Sequence, residues 1–397
     1  MQALINATII DVHTDQSIPQ GIIIINSEGK IAEYGPRSEV EIPRKAQKID
    51  YEGKTIMPGL IDAHVHLGLD ASENPAASLQ ELSDARLALQ AARHAEKTLQ
   101  AGVTTIRDMS ARNYIDIDLR EAVAAGEYPG PEIYASGRNI TMTGGHSWST
   151  GAEVDGPAQA RRAARQQIKK GADQIKVMAT GGVMTEGVQP GAPQLTEAEL
   201  RAAIEEAHKA DRKAAAHAQG TEGIKNAIRA GIDSIEHGIF LDEEALKMMR
   251  ENDVYLVPTL AAAHWIYEGG EESGIPAYAV QKTGSIMQDH QQSFKMALEA
   301  GIKIGMGTDA GTPLNKHGHN HFELKLMVEN GMKPAEAIAA ATRVNAELLG
   351  IEDKTGTIES GKRADLLVLD KNPLQDIDNI SEIHSIYKQG EPISNRQ

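Results

Sequence analysis

The feature that most limits what this chain can fold into is a long alternation in its middle. Apolar strand candidates at 55–66, 103–109, 132–137, 174–179, 213–218, 233–238, 254–260 and 302–309 are separated, for the most part, by helical patterns. Leu79 to Gln100 is rich in Ala and Leu and stops at Gly102; Ala158 to Lys170 stops at Gly171; Glu222 to Ala230 stops at Gly231. Glycine just past a helix is the usual C-terminal punctuation. Thr196-Glu-Ala-Glu199 offers an N-cap with an acid three residues on, opening a helix towards Ala210. Asp242 to Asn252 and Thr283 to Ala300 complete the helical set. Eight strands alternating with helices predict an α/β fold, a (β/α)8 TIM barrel over residues 57–356, in preference to an open doubly wound sheet. No Gly-x-Gly-x-x-Gly follows the first strand, which argues against a dinucleotide fold.

The two ends read differently. Ala3 to Val12 alternates, Gly21 to Asn26 is rich in Ile, and Ile31 to Glu33 runs into Gly35-Pro36. Near the other end Ala364 to Asp370 is strand-like, approached through Gly356 and Gly361. Residues 1–56 and 357–397 are therefore expected to build one small sheet together.

Bulk properties narrow the function. The chain of 397 residues is 41% apolar and carries a formal charge of -16. That charge excludes nucleic acid and anionic membrane surfaces as natural partners. No run reaches the roughly 20 apolar residues of a membrane span, and no secretory signal opens the chain, so a cytoplasmic location is expected. Cysteine is absent; any metal must be held by nitrogen and oxygen.

The first barrel strand ends in His64-Val-His66. Alternate residues of a strand share a face, so both imidazoles can aim at one point. Active-site groups of such barrels stand at the C-terminal ends of the strands. There the fourth strand carries Lys176, the fifth His217, the sixth His237 and the eighth Asp309. One buried histidine is ordinarily a core residue; four histidines, a lysine and an aspartate at strand ends point to metal. Lys176 would be repelled by cations unless modified. Burial lowers the pKa of a lysine and frees an amine able to capture carbon dioxide as an anionic carbamate; the alternative is a lysine paired with a carboxylate.

These residues, in this order, resemble the amidohydrolase superfamily. The wider phrasing resembles its imidazolonepropionase-like and Xaa-Pro dipeptidase-like branch: Met57-Pro-Gly-Leu-Ile-Asp-Ala-His64-Val-His66, Gly102-Val-Thr-Thr-Ile-Arg-Asp108, Thr143-Gly-Gly-His146, Ile235-Glu-His237-Gly, Gly307-Thr-Asp309 and Gly361-Lys-Arg-Ala-Asp365-Leu. The resemblance implies the barrel with a β-sandwich from both termini. It also implies two divalent ions, expected to be zinc: His64, His66 and Asp309 on one, His217 and His237 on the other, and carbamylated Lys176 between them. Lys176 disfavours imidazolonepropionase itself, whose one-metal relatives typically lack the lysine.

The implied reaction is amide hydrolysis by a water shared between the ions, in dipeptides or N-acyl amino acids with a free carboxylate. Asp309 would move the proton, or serve as ligand only. By resemblance His146 faces the metals and meets the substrate carbonyl or carboxylate. Gln219 stands where dipeptidase-like relatives often carry an oxyanion-holding tyrosine, a departure that bears on the Xaa-Pro assignment. His317 is expected near the substrate; the run His317-Gly-His319-Asn-His321 could alternatively hold an extra metal. Trp148, His264, Trp265 and Tyr267 are candidate pocket aromatics, and Asp62 a hydrogen-bonding partner behind the histidines. Competing readings are a deaminase or cyclic-amide hydrolase on the same scaffold, and a non-catalytic assembly protein. The resemblance also implies a homo-oligomer.

Overall fold

In the computed structural model, which describes residues 1–14 and 16–393, the fold is mixed α/β. Its parallel strands form two arcs. Leu60–Val65, Val103–Asp108 and Glu132–Ala135 make one; Ala152–Val154, Ile140–Met142, Gln174–Met178, Lys213–Ala218, Ser234–His237 and Tyr255–Val257, in that spatial order, make the other. The arcs approach each other where the Asp173 amide donates to the Ala135 carbonyl. Helices follow the strands as the sequence predicts. The capping box of Thr196 and Glu199 opens Glu197–Lys209, and Gly171 and Gly231 end Pro157–Lys170 and Thr221–Ala230 in left-handed conformations.

Three expectations change within the alternating middle. The strand expected over 55–66 is two strands, Thr55–Pro58 and Leu60–Val65, because the chain switches partners at Gly59. The Gly59 amide donates to Asp365, whereas the next amide, of Leu60, donates to Gly102. A Cβ at Gly59 would lie 2.4 Å from the Thr104 hydroxyl oxygen, so only glycine permits this crossing. The helix expected over 79–100 is likewise two, Pro75–Glu81 and Asp84–Gln100, the second capped by Ser83. Finally, residues 302–309 form no regular strand. They are still hydrogen-bonded on both sides: Lys303 and Gly305 to Leu256, and Met306, Asp309 and Ala310 to Ala63, His64 and His66. Gly307 lets this segment press against the first arc, since a Cβ there would sit 2.8 Å from that of His64.

Strands from both termini share one eight-stranded sheet, which branches at Gln2–Ile10, rather than the two separate sheets of a sandwich. Leu366–Leu369 adds to Thr55–Pro58, with Leu367 opposite Met57, and Ile383–Lys388 adds to the far side of Leu366–Leu369. Alternation sets the packing: Leu366 and Val368 face the sheet's own core with Leu4, Ile23 and Ile56, while Leu367 and Leu369 join the main core. Among the described residues no helix is long and apolar enough to cross a membrane.

Candidate metal centre

Strand parity brings most of the predicted groups together. His64 and His66 share a face with Asp62. In the second arc Lys176 pairs in register with Ala215, and His217 with Glu236, which places Lys176, His217 and Glu236 on one side. By the same alternation His237 should point away. It does not, because its backbone turns left-handed (φ 72°) at the strand's last residue; Asp309 makes a similar turn (φ 58°). Non-glycine residues rarely adopt such φ, and they concentrate where function demands a particular side-chain direction.

The result is a compact cluster. One ligand atom from each of His64, His66 and Asp309 lies within 4.8 Å of the others. Asp309 Oδ1 is 3.4 Å from His64 Nε2 and 3.2 Å from His66 Nε2. The rings of His64 and His237 stand 5.3 Å apart, those of His217 and His237 4.6 Å, and those of His146 and His217 4.2 Å. Several rings are fixed through one nitrogen, which leaves the other for a ligand. His64 Nδ1 meets Glu236 Oε2 at 2.7 Å, and His237 Nδ1 meets the Thr259 hydroxyl at 2.7 Å. His146 Nδ1 meets the Thr185 hydroxyl at 2.9 Å.

Electrostatics fit a cation. Burial holds His64 and His217 well below the usual imidazole range, and His146 and His237 down to about 3. Neutral imidazoles are what metals require. Burial alone would raise Asp309, but His64 and His66 beside it hold the carboxyl low, so it is an anion. Lys176 is 1% exposed, and among the described residues its amine has no hydrogen-bond partner; Asp309 Oδ1 also lacks one there. Burial pulls the Lys176 amine down to about 8. Two buried polar atoms without partners among the described residues are anomalous for a finished core, and the donor set of nitrogen and oxygen suits divalent ions such as zinc.

Behind the cluster lies a charged contact: Arg107 pairs with Glu236 at 2.8 Å, both side chains being buried. Glu236 thereby joins Arg107 to His64. The clue was available: Glu236 is the one acid in the short buried strand Ser234–His237. Asp62 takes its expected place, accepting from the backbone of His64 and Thr308.

A cavity of about 410 Å³ opens over the cluster, lined by His64, His66, His146, Lys176, His217, Gln219, His237 and Asp309. Its apolar wall includes Met178, Val183, Met184, Ile239, Ile266 and Ile286. Gln219 Oε1 is buried without a partner among the described residues. Trp148 is on the rim, 47% exposed. His290 lines the cavity too, a residue that sequence gave no reason to single out.

Other candidates fall elsewhere. His317 does not line this cavity: its Nε2 is 3.0 Å from the Leu69 carbonyl and its ring stacks on His94 at 4.3 Å. His319 and His321 stand 6.3 Å apart, and with His317 they form no metal cluster among the described residues. His264 and Trp265 pack with Phe322, and they and Tyr267 are outside the cavity lining.

His64, His66 and Asp309, brought together beside the parallel strands, could hold a metal ion, and the comparisons give the class of protein. The sequence pattern of the amidohydrolase family matches residues 55–393, and the chain belongs to that family. It is a hydrolase acting on amide C–N bonds. It is similar to ochratoxinase of Aspergillus niger, 33% identical over 372 residues that cover 86% of this chain and 76% of the relative. Imidazolonepropionase of Rhizobium rhizogenes is 24% identical, with 92% of this chain and 90% of the relative covered. Among solved structures, a Xaa-Pro dipeptidase with methionine bound in its active site is 36% identical, covering 99% of this chain and 100% of that one, with a TM-score of 0.92.

Proposed function

We propose that the chain cleaves dipeptides or N-acyl amino acids at the amide bond with a pair of divalent ions, expected to be zinc. His64, His66 and Asp309 would hold one ion, His217 and His237 the other, with Lys176 between them as a carbamate. The two parallel arcs and residues 302–310 are read as a (β/α)8 barrel over 57–356, and residues 1–56 with 357–397 as a second domain. The observation that carries the functional reading is Lys176: a buried, unpartnered amine set among four histidines and an aspartate.

Bound ions would supply an activated water and polarise the scissile carbonyl. The chain's own groups do the rest. A neutral Lys176 amine attacks carbon dioxide; the N–C bond forms, a proton leaves, and the resulting carbamate is an anion with two oxygens. Asp309, an anion without a hydrogen-bond donor on Oδ1, accepts the proton of the attacking water and passes it to the leaving nitrogen. His146, neutral and anchored through Nδ1 to Thr185, presents its other nitrogen to the substrate's carbonyl oxygen or carboxylate. Gln219 offers its buried amide to the same substrate. His317, engaged with Leu69 and His94, has no part here.

The test is zinc-loaded protein assayed against a library of dipeptides and N-acyl amino acids, with metal counted per chain and a ¹³C-carbamate resonance sought after labelling with bicarbonate. Two ions, a carbamate lost in Lys176→Ala, and turnover of linear amides are expected. One ion per chain, with turnover confined to cyclic amides or aminated heterocycles, overturns the reading.

A further inference from the structure

One helical turn, at the start of His321–Glu329, reaches both halves of the metal cluster while touching neither. Asn320, immediately before the helix, is 1% exposed, and its side-chain amide donates to Asp62 Oδ2 at 2.7 Å. The same carboxylate accepts from the backbone amides of His64 and Thr308, both at 3.1 Å, and from the Thr308 hydroxyl at 2.7 Å. Asp62 thus ties the strand carrying His64 to the residue before Asp309, and Asn320 fixes Asp62.

Glu323, three residues on, points the other way. It is fully buried, and its two carboxylate oxygens accept from the backbone amides of Leu260 and Ala261, at 2.8 and 2.7 Å. Those amides open the helix Leu260–Gly269, where the preceding residue, Thr259, supplies no side-chain cap. Thr259 is held left-handed (φ 52°), a conformation unfavourable for a β-branched residue. Its hydroxyl nevertheless has work: it contacts His237 Nδ1. Glu323 does the capping that Thr259 does not, so the Thr259 hydroxyl is left for His237.

We infer that this turn is a two-armed brace: Asn320, through Asp62, orients the His64 and Asp309 ligands, and Glu323, through Thr259, orients His237. Asn320 and Glu323 are positioning residues, each assigned to a different ion. The assignment rests on the two-ion reading above.

Stepwise zinc binding, measured at buffered free zinc by equilibrium dialysis with metal counted per chain, tests it. His66→Asn and His237→Asn mark which step belongs to which site. Glu323→Gln should weaken the step marked by His237 about tenfold or more, the scale seen for partners that orient metal ligands, and leave the other within about threefold. Asn320→Ala should do the reverse. Thr259→Val should copy Glu323→Gln, and Thr259→Ser, which keeps the hydroxyl, should restore wild-type binding. If Glu323→Gln does not fold, the Thr259 pair carries the test. Variants that weaken both steps equally, or neither, overturn the brace while the two-ion reading stands. A wild-type chain that takes one ion overturns both.

Discussion

Replacing Arg107 by methionine removes the cation bonded to Glu236. The guanidinium makes three contacts, all buried: Nε to the Ala63 carbonyl at 2.5 Å, one terminal nitrogen to the Ser234 hydroxyl at 3.1 Å, the other to Glu236 Oε1 at 2.8 Å. In Arg107→Met the Glu236 carboxylate would keep His64 and Ser234 as hydrogen-bond partners but lose its charge partner. Removing one member of a buried ion pair costs about 3–5 kcal/mol, and the stranded Ala63 carbonyl adds about 1 kcal/mol. Methionine refills part of the volume, so a loss of about 4 kcal/mol is expected. It would be read as a shift of the urea midpoint of the metal-free protein at pH 7. The informative arm is the double variant. Adding Glu236→Gln deletes the uncompensated charge, and should bring back about 2 kcal/mol relative to Arg107→Met alone. Two independent, additive losses would mean that the two side chains do not act as a pair, and the account of how His64 is anchored would fail with them.

Two more outcomes follow from the same contacts. Gly307→Ala puts a methyl 2.4 Å from Val257 Cγ1 and 2.8 Å from His64 Cβ; a loss of about 1–3 kcal/mol is expected from overpacking, with weaker zinc binding because His64 is displaced, and calorimetric titration would show whether affinity is unchanged instead. Burial lowers His290 to about 4, against a carbonyl contact from Pro258 that favours its charged form. The folded chain therefore takes up this proton later than the unfolded one, whose imidazole titrates near 6.5, and stability is lost as pH falls from about 6.5 towards 4. At pH 5.5 the loss from this group is about 1.4 kcal/mol. His290→Gln should flatten the stability read from urea unfolding by about 1 kcal/mol between pH 6.5 and 5.5, and an unchanged slope would count against the assignment.

How much of this was legible beforehand depends on how local each cause is. Strand parity alone shows that His64 and His66 share a face, and an isolated lysine in Gln174–Met178 is visible as an anomaly in any reading of that apolar run. Helix ends were equally plain, because Thr196, Gly171 and Gly231 act within a few residues of themselves. The resemblance, carried by short phrases, pointed to the amidohydrolase family that the sequence pattern over residues 55–393 shows; the barrel expectation came from the alternation itself, and the pair of ions only from the resemblance.

What the sequence could not decide were effects of residues far apart in the chain. Alternation puts Glu236 and His237 on opposite faces; the left-handed turn at His237 brings both to the site, and no local signal at that position announces it. His317 was expected near the substrate from its His-Gly phrase, yet Leu69 and His94, more than 200 residues earlier, claim its ring. The break at Gly59 depends on Asp365 lying on one side and Gly102 on the other. Asn320 and Glu323 look like ordinary polar residues until Asp62 and the first turn of Leu260–Gly269 are brought against them. Sequence fixes which faces and caps are possible, since those follow from each residue's own backbone and neighbours; only tertiary packing chooses the partner of a buried polar atom, because that partner comes from another part of the chain.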